Sequence, residues 1–263
     1  MVEKRMQNEK ILMICLPYAG GNSFAYQRLG KYLDDFIEPV AVELPGHGLL
    51  FNEQQLDTLD EMANFVLDLI SSKVHDTPWA LFGHSMGGML GYLVARRAPE
   101  RLLPPPLHLF ISARQPGDVK PSVKWTDYSR DEFMVRISKL GGIPDEVLAN
   151  KELIELFEPI LYRDVKALET HPHTDIAPVT CPITVLIGRD DNIPEDQAWL
   201  WHRDTVAPVN VWSFPGGHFF AFERLEEIGR LLSETLANNL ADYNEYRRAQ
   251  INMEPTGKEI NSD

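Results

Sequence analysis

The chain is short of cysteine, of basic residues and of long apolar runs, and each shortage closes off a class of function. Its two cysteines, Cys15 and Cys181, stand far apart. One falls in an apolar run and the other precedes Pro182, so they read as buried thiols rather than as a disulfide or a thiolate metal set. Lysine and arginine number 25 against 39 aspartate and glutamate, a formal charge of −14. Nucleic acids and anionic membranes both select basic surface, so neither is expected as a partner. No apolar stretch approaches the roughly 20 residues that span a bilayer. Ile11–Leu16 is too short for the apolar core of a secretory leader. His171 and His173 have a spacing that could suit a metal, but no carboxylate or thiol cluster accompanies them, so neither a metal nor a cofactor is expected. These readings describe a soluble, cytoplasmic protein, expected to be a monomer.

What is present is a core. Of 263 residues, 44% are apolar, enough for one large α/β domain or for a domain carrying an insertion. Buried strands are predicted at Ile11–Leu16, Ile37–Val42, Trp79–Phe82, Leu107–Ser112, Ile183–Ile187 and Val209–Phe214. A helix capped by Asn22 or Ser23 should follow the first strand, carrying Phe24, Tyr26, Leu29 and Leu33. A longer one should run from about Asp57 to Lys73. Strands alternating with helices predict a mostly parallel sheet covered on both faces. About 70 residues separate the fourth and fifth strands, far too many for a crossover. Helical periodicity near 130–140 and 151–168, broken at Gly141-Gly142-Ile143-Pro144 and at Pro159, makes this segment an inserted helical cap. The predicted divisions are a core at 1–114 and 181–250, a cap at 115–180 and a flexible tail at 251–263. The terminal helix is expected over about 225–240.

The chemistry centres on Gly83-His84-Ser85-Met86-Gly87, set between a buried strand and an apolar helix. Strand, Gly-x-Ser-x-Gly and helix in that order form a nucleophile elbow, whose sharp turn excludes side chains two residues either side of the serine. Ser85 is therefore the candidate nucleophile. A serine hydroxyl needs a neighbouring base, and the base an orienting carboxylate. His218 is the one histidine in a glycine-rich loop directly after the last strand. The loop after strand 183–187 offers Asp190 and Asp191 as the acid, and the Gly-x-x-Asp spacing from Gly188 favours Asp191. Oxyanion donors are expected at the Met86 N–H and, from the loop after the first strand, at Ala19. His47 either lines the cleft or has an ordinary loop role.

Several stretches between residues 11 and 240 carry a resemblance. They are Pro17-Tyr-Ala-Gly-Gly21, Glu43-Leu-Pro-Gly-His-Gly48, Gly83-His-Ser-Met-Gly-Gly88, Ser112-Ala-Arg114, Leu140-Gly-Gly-Ile-Pro144, Arg163-Asp164 and Gly216-Gly-His-Phe-Phe220. With them the chain resembles the type II thioesterases, stand-alone α/β-hydrolase partners of non-ribosomal peptide and polyketide synthases. The resemblance implies the α/β-hydrolase fold with a helical lid. It also implies hydrolysis of acyl or aminoacyl thioesters from the phosphopantetheine arm of peptidyl or acyl carrier domains, clearing stalled or misprimed chains. Two positions depart from the family, which usually carries His where Tyr18 stands and Arg where His47 stands. The alternatives with the same triad are a carboxylesterase or lipase and a fatty-acyl-carrier thioesterase. Basic residues at the front of the cap, among them Arg114, Lys120, Lys124, Arg130 and Arg136, are a candidate docking surface for an acidic carrier.

Overall fold

The structure, a computed structural model, describes residues 10–119, 123–172 and 177–253, with side chains up to residue 245. Six strands form it: β1 (Ile11–Leu16), β2 (Ile37–Ala41), β3 (Trp79–His84), β4 (Leu109–Ser112), β5 (Ile183–Gly188) and β6 (Val209–Phe214). The main helices are α1 (Leu59–Val74), α2 (Met86–Arg97), α3 (Arg130–Ser138), α4 (Lys151–Thr170), α5 (Glu195–Trp199) and α6 (Leu225–Met253). All neighbouring strands pair in parallel, in the order β2-β1-β3-β4-β5-β6. Every residue of β1, β3, β4 and β5 is buried, as a sheet covered on both faces requires, whereas edge strands β2 and β6 expose part of theirs. The expected α/β-hydrolase architecture is therefore present.

The strand order decides where a ligand can sit. The chain steps outward from β1 to β2, then returns across β1 to start β3. The loops leaving β1 and β3 thus diverge at the carboxyl edge, the crevice where open parallel sheets bind ligands. Tyr18 to Gly21 leave β1 there, and Ser85 leaves β3 there.

Local structure departs from the sequence expectation in three places. After β1 there is no single helix but two short 3-10 turns, Ser23–Tyr26 and Leu29–Tyr32. Asn22 caps the first, its side chain accepting from the Phe24 N–H, while Ser23 turns to Glu43 instead. Gly30, a poor helix former, is the second residue of the second turn, where a Cβ would stand 3.3 Å from the Pro39 ring. Pro159 was expected to break the second cap helix, yet α4 runs through it. The missing Pro159 N–H is outweighed by a face of Phe157, Leu161, Val165 and Leu168, spaced to bury one side of the helix. At the C-terminus α6 continues to Met253 instead of ending near 240. The rest of the expected tail, 254–263, and the polar N-terminal residues 1–9 lie outside the described residues.

Both thiols are buried and free, as their context suggested. No helix among the described residues is long and apolar enough to cross a membrane.

The inserted segment has a core of its own. Phe133 and Ile137 from α3 meet Leu161 and Val165 from α4 in a buried cluster distinct from the main one. Ala19 of the β1 loop packs against both clusters, so the cap is seated directly on the crevice. Phe133 is fully buried, and Phe133→Ala should cost the cap about 3–5 kcal/mol. Hydrogen exchange should then accelerate in 130–138 and 151–170 while β1, β3 and β4 keep their protection. Uniform acceleration across the sheet would show that the cap has no separate core.

Candidate active site

Ser85 lies between the last residue of β3 and the first of α2, with φ 53° and ψ −115°. That is left-handed territory, costly for a residue with a Cβ and held only where the surroundings impose it. The surroundings here are backbone. A Cβ on Gly83 would stand 2.0 Å from the Gly87 carbonyl oxygen, and one on Gly87 would stand 2.2 Å from the Leu16 carbonyl oxygen. Neither neighbour can yield, so both positions must be glycine. The Ser85 N–H donates to the Ser112 carbonyl at 2.8 Å, pinning the turn to β4.

Two loops from further along the sheet meet this turn. His218, after β6, places Nε2 3.1 Å from the Ser85 Oγ, and its Nδ1 lies 2.8 Å from the Asp191 Oδ2. A carboxylate only accepts, so Nδ1 carries the hydrogen toward Asp191 and Nε2 is left to accept from the serine hydroxyl. The Asp191 side chain is 3% exposed and that of His218 11%. Asp190 instead faces solvent, and its N–H donates to the Gly216 carbonyl at 3.0 Å, tying the two loops together. Asp191, not Asp190, is thus in position to orient the imidazole.

Beneath His218 lies a residue for which the sequence indicated no role. His84 is fully buried. Its Nδ1 lies 3.0 Å from the Ser112 Oγ, and its ring is surrounded by Tyr18, Phe219 and Phe222. Burial, reinforced by nearby His218, pushes its pKa well below the ordinary range. This neutral ring lies 5.2 Å from that of His218. Nothing in a Gly-His-Ser-Met-Gly string signals this.

The three residues open onto a cavity of about 530 Å³ between sheet and cap. Ala19 and Tyr18 form one wall, and Ile137, Leu140, Phe157 and Leu161 of the cap form the roof. Met86 begins α2 directly behind Ser85. The cap and the histidine loop also interlock: a Cβ on Gly142, at φ 83°, would stand 2.2 Å from the Phe219 ring. Leu140-Gly-Gly-Ile-Pro144 and Gly216-Gly-His-Phe-Phe220 are therefore two halves of one contact.

The profile of the thioesterase domain family matches residues 12–236. Thioesterase PikA5 of Streptomyces venezuelae is 30% identical over 230 residues, covering 87% of this chain and 82% of the relative. The crystal structure of ClbQ, from the colibactin pathway of non-ribosomal peptide and polyketide synthases, superposes with a TM-score of 0.83. It is 28% identical and covers 88% of this chain and 98% of its own. The type II thioesterase BorB, from the borrelidin biosynthetic cluster, gives a TM-score of 0.78 at 30% identity, covering 86% and 93%. The chain belongs to the thioesterase family. The resemblance to type II thioesterases seen in the motifs is borne out by these neighbours.

The structure bears on two further sequence expectations for this thioesterase. His47 does not line the cavity. It is 3% exposed and belongs to a buried network around Asp164 of α4. That carboxylate accepts from the Gly20 N–H at 2.7 Å, from the Gln55 amide at 2.9 Å and from the His47 Nε2 at 2.8 Å. The cap helix is thereby fastened to the loop that carries Ala19. The second expectation concerns the basic residues at the front of the cap, of which, among the described residues, only Arg114 leaves the surface. Arg130 pairs with Glu158 and lies over the Tyr162 ring, and Arg136 lies over the Tyr128 ring. Arg114 turns into the cavity, and Lys120 lies outside the described residues. Arg130 and Arg136 thus pack on the cap while staying exposed, and Lys124 is exposed as well.

The two His47 nitrogens both face acceptors, the Pro45 carbonyl at 3.0 Å and Asp164 at 2.8 Å, so only the imidazolium can donate at each. Burial by itself would lower the His47 pKa, but the hydrogen bond and charge of Asp164 outweigh it and the net shift is upward. A raised folded-state pKa gives stability that is complete below the ordinary histidine value, about 6.5, and is lost as pH rises through the raised value. The melting temperature of the wild type should therefore exceed that of His47→Gln most at about pH 6, with the gap narrowing toward about pH 9. Melts across that range check this, and a gap that widens with pH would contradict it.

Proposed function

We propose that the chain is a serine thioesterase acting on acyl or aminoacyl groups carried by the phosphopantetheine arm of carrier domains, clearing stalled or misprimed chains from a synthase. The observation that carries this reading is the unbroken hydrogen-bonded series Asp191–His218–Ser85 at the floor of a capped, mostly apolar-walled cavity. The thioesterase family and the synthase pathways named for its neighbours support the substrate class.

The mechanism follows from the positions of the groups. His218 takes the Ser85 proton through Nε2 as Oγ attacks the thioester carbonyl. Asp191 keeps the imidazole in the tautomer that leaves Nε2 free and stabilises the imidazolium. The carbonyl oxygen becomes an oxyanion held by the N–H groups of Met86 and Ala19, the first supported by the N-terminus of α2. The tetrahedral intermediate expels the pantetheine thiolate, which takes the proton from His218. Water then enters, gives its proton to His218 and attacks the acyl-Ser85 ester. Collapse of the second intermediate releases the acid and restores the serine. Ala19 is correctly placed only while its loop is held, and Asp164 holds it by bonding the next residue's N–H. The cap covers the acyl chain, and the slender arm enters beside it.

Ser85→Ala and His218→Ala should each lower carrier-thioester turnover by about 10⁴-fold or more, and the double variant should be little worse, because the groups act as a unit. Asp191→Asn should cost up to about 10⁴-fold through the wrong tautomer. Asp190→Asn, a change at an exposed side chain, should cost well under tenfold. Steady-state kinetics on an acyl-loaded carrier measures all four. Losses that add in the double variant, or a larger loss at Asp190 than at Asp191, would overturn the assignment. Turnover of oxyesters in preference to carrier thioesters would point to a carboxylesterase.

A further inference from the structure

Three buried side-chain atoms among the described residues have no hydrogen-bond partner: His84 Nε2, Arg114 Nε and Asn244 Oδ1. Of these residues only Arg114 lines the cavity that Ser85 opens onto. The Arg114 Nε N–H is shielded from the cavity, but no hydrogen bond or ion pair among the described residues takes up the terminal guanidinium nitrogens either. Arg114 is part-exposed where it lines the cavity, so those donors are free for a ligand there.

Its placement is built into the sheet edge. β4 ends at Ser112, paired in register with His84, so the residues that follow rise beside the nucleophile. Ala113 takes φ 52°, a left-handed conformation costly for alanine, and its N–H donates to the Leu186 carbonyl at 2.8 Å. The backbone is fixed again one residue on, where the Trp201 indole donates to the Arg114 carbonyl at 2.9 Å. The Arg114 Cβ lies 3.4 Å from where a Cβ on Gly88 would stand, in the first turn of the helix behind Ser85. Two strained residues, Ser85 and Ala113, thus present two functional side chains to one cavity.

Among the described residues, the carboxylate whose charge acts on Arg114 is already engaged. Glu169 also lines the cavity, but its oxygens accept from the Trp125 N–H, the Thr126 N–H and the Thr126 hydroxyl. It forms no ion pair within 4.0 Å of Arg114. Burial pushes the Arg114 pKa down to about 10 and the charge of Glu169 opposes the fall, so the guanidinium stays charged at neutral pH. Glu169 sets the sign of what can bind. Its negative charge disfavours a second carboxylate in the cavity, whereas a neutral carbonyl oxygen can accept from Arg114 without that repulsion.

We infer that Arg114 is a specificity-determining residue, hydrogen-bonding a neutral carbonyl oxygen on the acyl chain in addition to the thioester carbonyl. The inference rests on the thioesterase reading above. A 3-oxoacyl chain and an N-acyl-aminoacyl chain both carry such an oxygen, and a saturated acyl chain does not. The pocket therefore discriminates by oxidation pattern or amide content as well as by length.

The test uses pantetheine thioesters of matched length: saturated, 3-oxo, N-acyl-aminoacyl and malonyl. For the wild type, kcat/KM for the 3-oxo or the amide substrate should exceed that for the saturated chain by roughly 10- to 100-fold, as expected of a bond to a charged donor. Malonyl should be the poorest. Arg114→Met, which keeps the length of the stem, should bring the preferred substrate down to the level of the saturated chain, and Arg114→Lys should restore part of the preference. Which of the two favoured arms responds tells a ketide carbonyl from an amide. Equal turnover of saturated and oxygenated chains by the wild type would overturn the inference, as would an equal loss on every substrate in both variants. A preference for malonyl would also overturn it, by identifying an anion site. Absence of turnover on all four would instead count against the thioesterase reading itself.

Discussion

Ser85 is held at φ 53°, a conformation that costs a non-glycine residue of order 1–3 kcal/mol, and much of the surrounding chain serves to impose it. Gly83 and Gly87 are glycine because backbone atoms of the same turn and of β1 occupy the space their side chains would need. The Ser112 carbonyl holds the Ser85 N–H, and the Ser112 hydroxyl contacts His84. His84 in turn lies beneath His218. One backbone constraint thereby fixes Ser85, the ring under His218 and the start of the helix behind them.

The cap is fitted to that constraint from the other side. Its long helix carries an apolar face into the cavity and, on the same turns, the buried Asp164 that grips the β1 loop through Gly20. Gln55 and His47 complete the network, so three separate segments of the core meet one cap carboxylate. A buried carboxylate is tolerable only when its lone pairs are filled, and here each oxygen accepts at least one hydrogen bond. The arrangement couples lid position to the geometry of Ala19. His47 donates to that carboxylate, and Asp164 holds its pKa above the ordinary histidine value against the effect of burial.

Much of this was legible in the residues. Ser85, His218 and Asp191 each follow a strand in a parallel sheet, and short-range punctuation by glycine marks all three loops. Asp191 could be preferred to Asp190 from spacing alone, and its 3% exposure agrees. Asp164 could not be found in this way, because its partners stand 144, 117 and 109 residues away. His84 was equally silent, since burial in an aromatic cage is a tertiary property. Pro159 misled because a local rule was overridden by the apolar face of the whole helix. The 3-10 turns after β1 show the reverse, a plausible helical period interrupted by Gly30. Arg114 looked like part of a basic surface until the turn at Ala113 directed it inward.

If His218 and the elbow activate Ser85 as proposed, that serine reacts ahead of every other hydroxyl in the protein. Labelling of the intact protein with a fluorophosphonate, followed by mapping of the modified peptide by mass spectrometry, tests this most directly. A single adduct, on Ser85, is expected, forming in step with loss of thioesterase activity. An adduct on another serine, or full modification of Ser85 with hydrolysis undiminished, would contradict it.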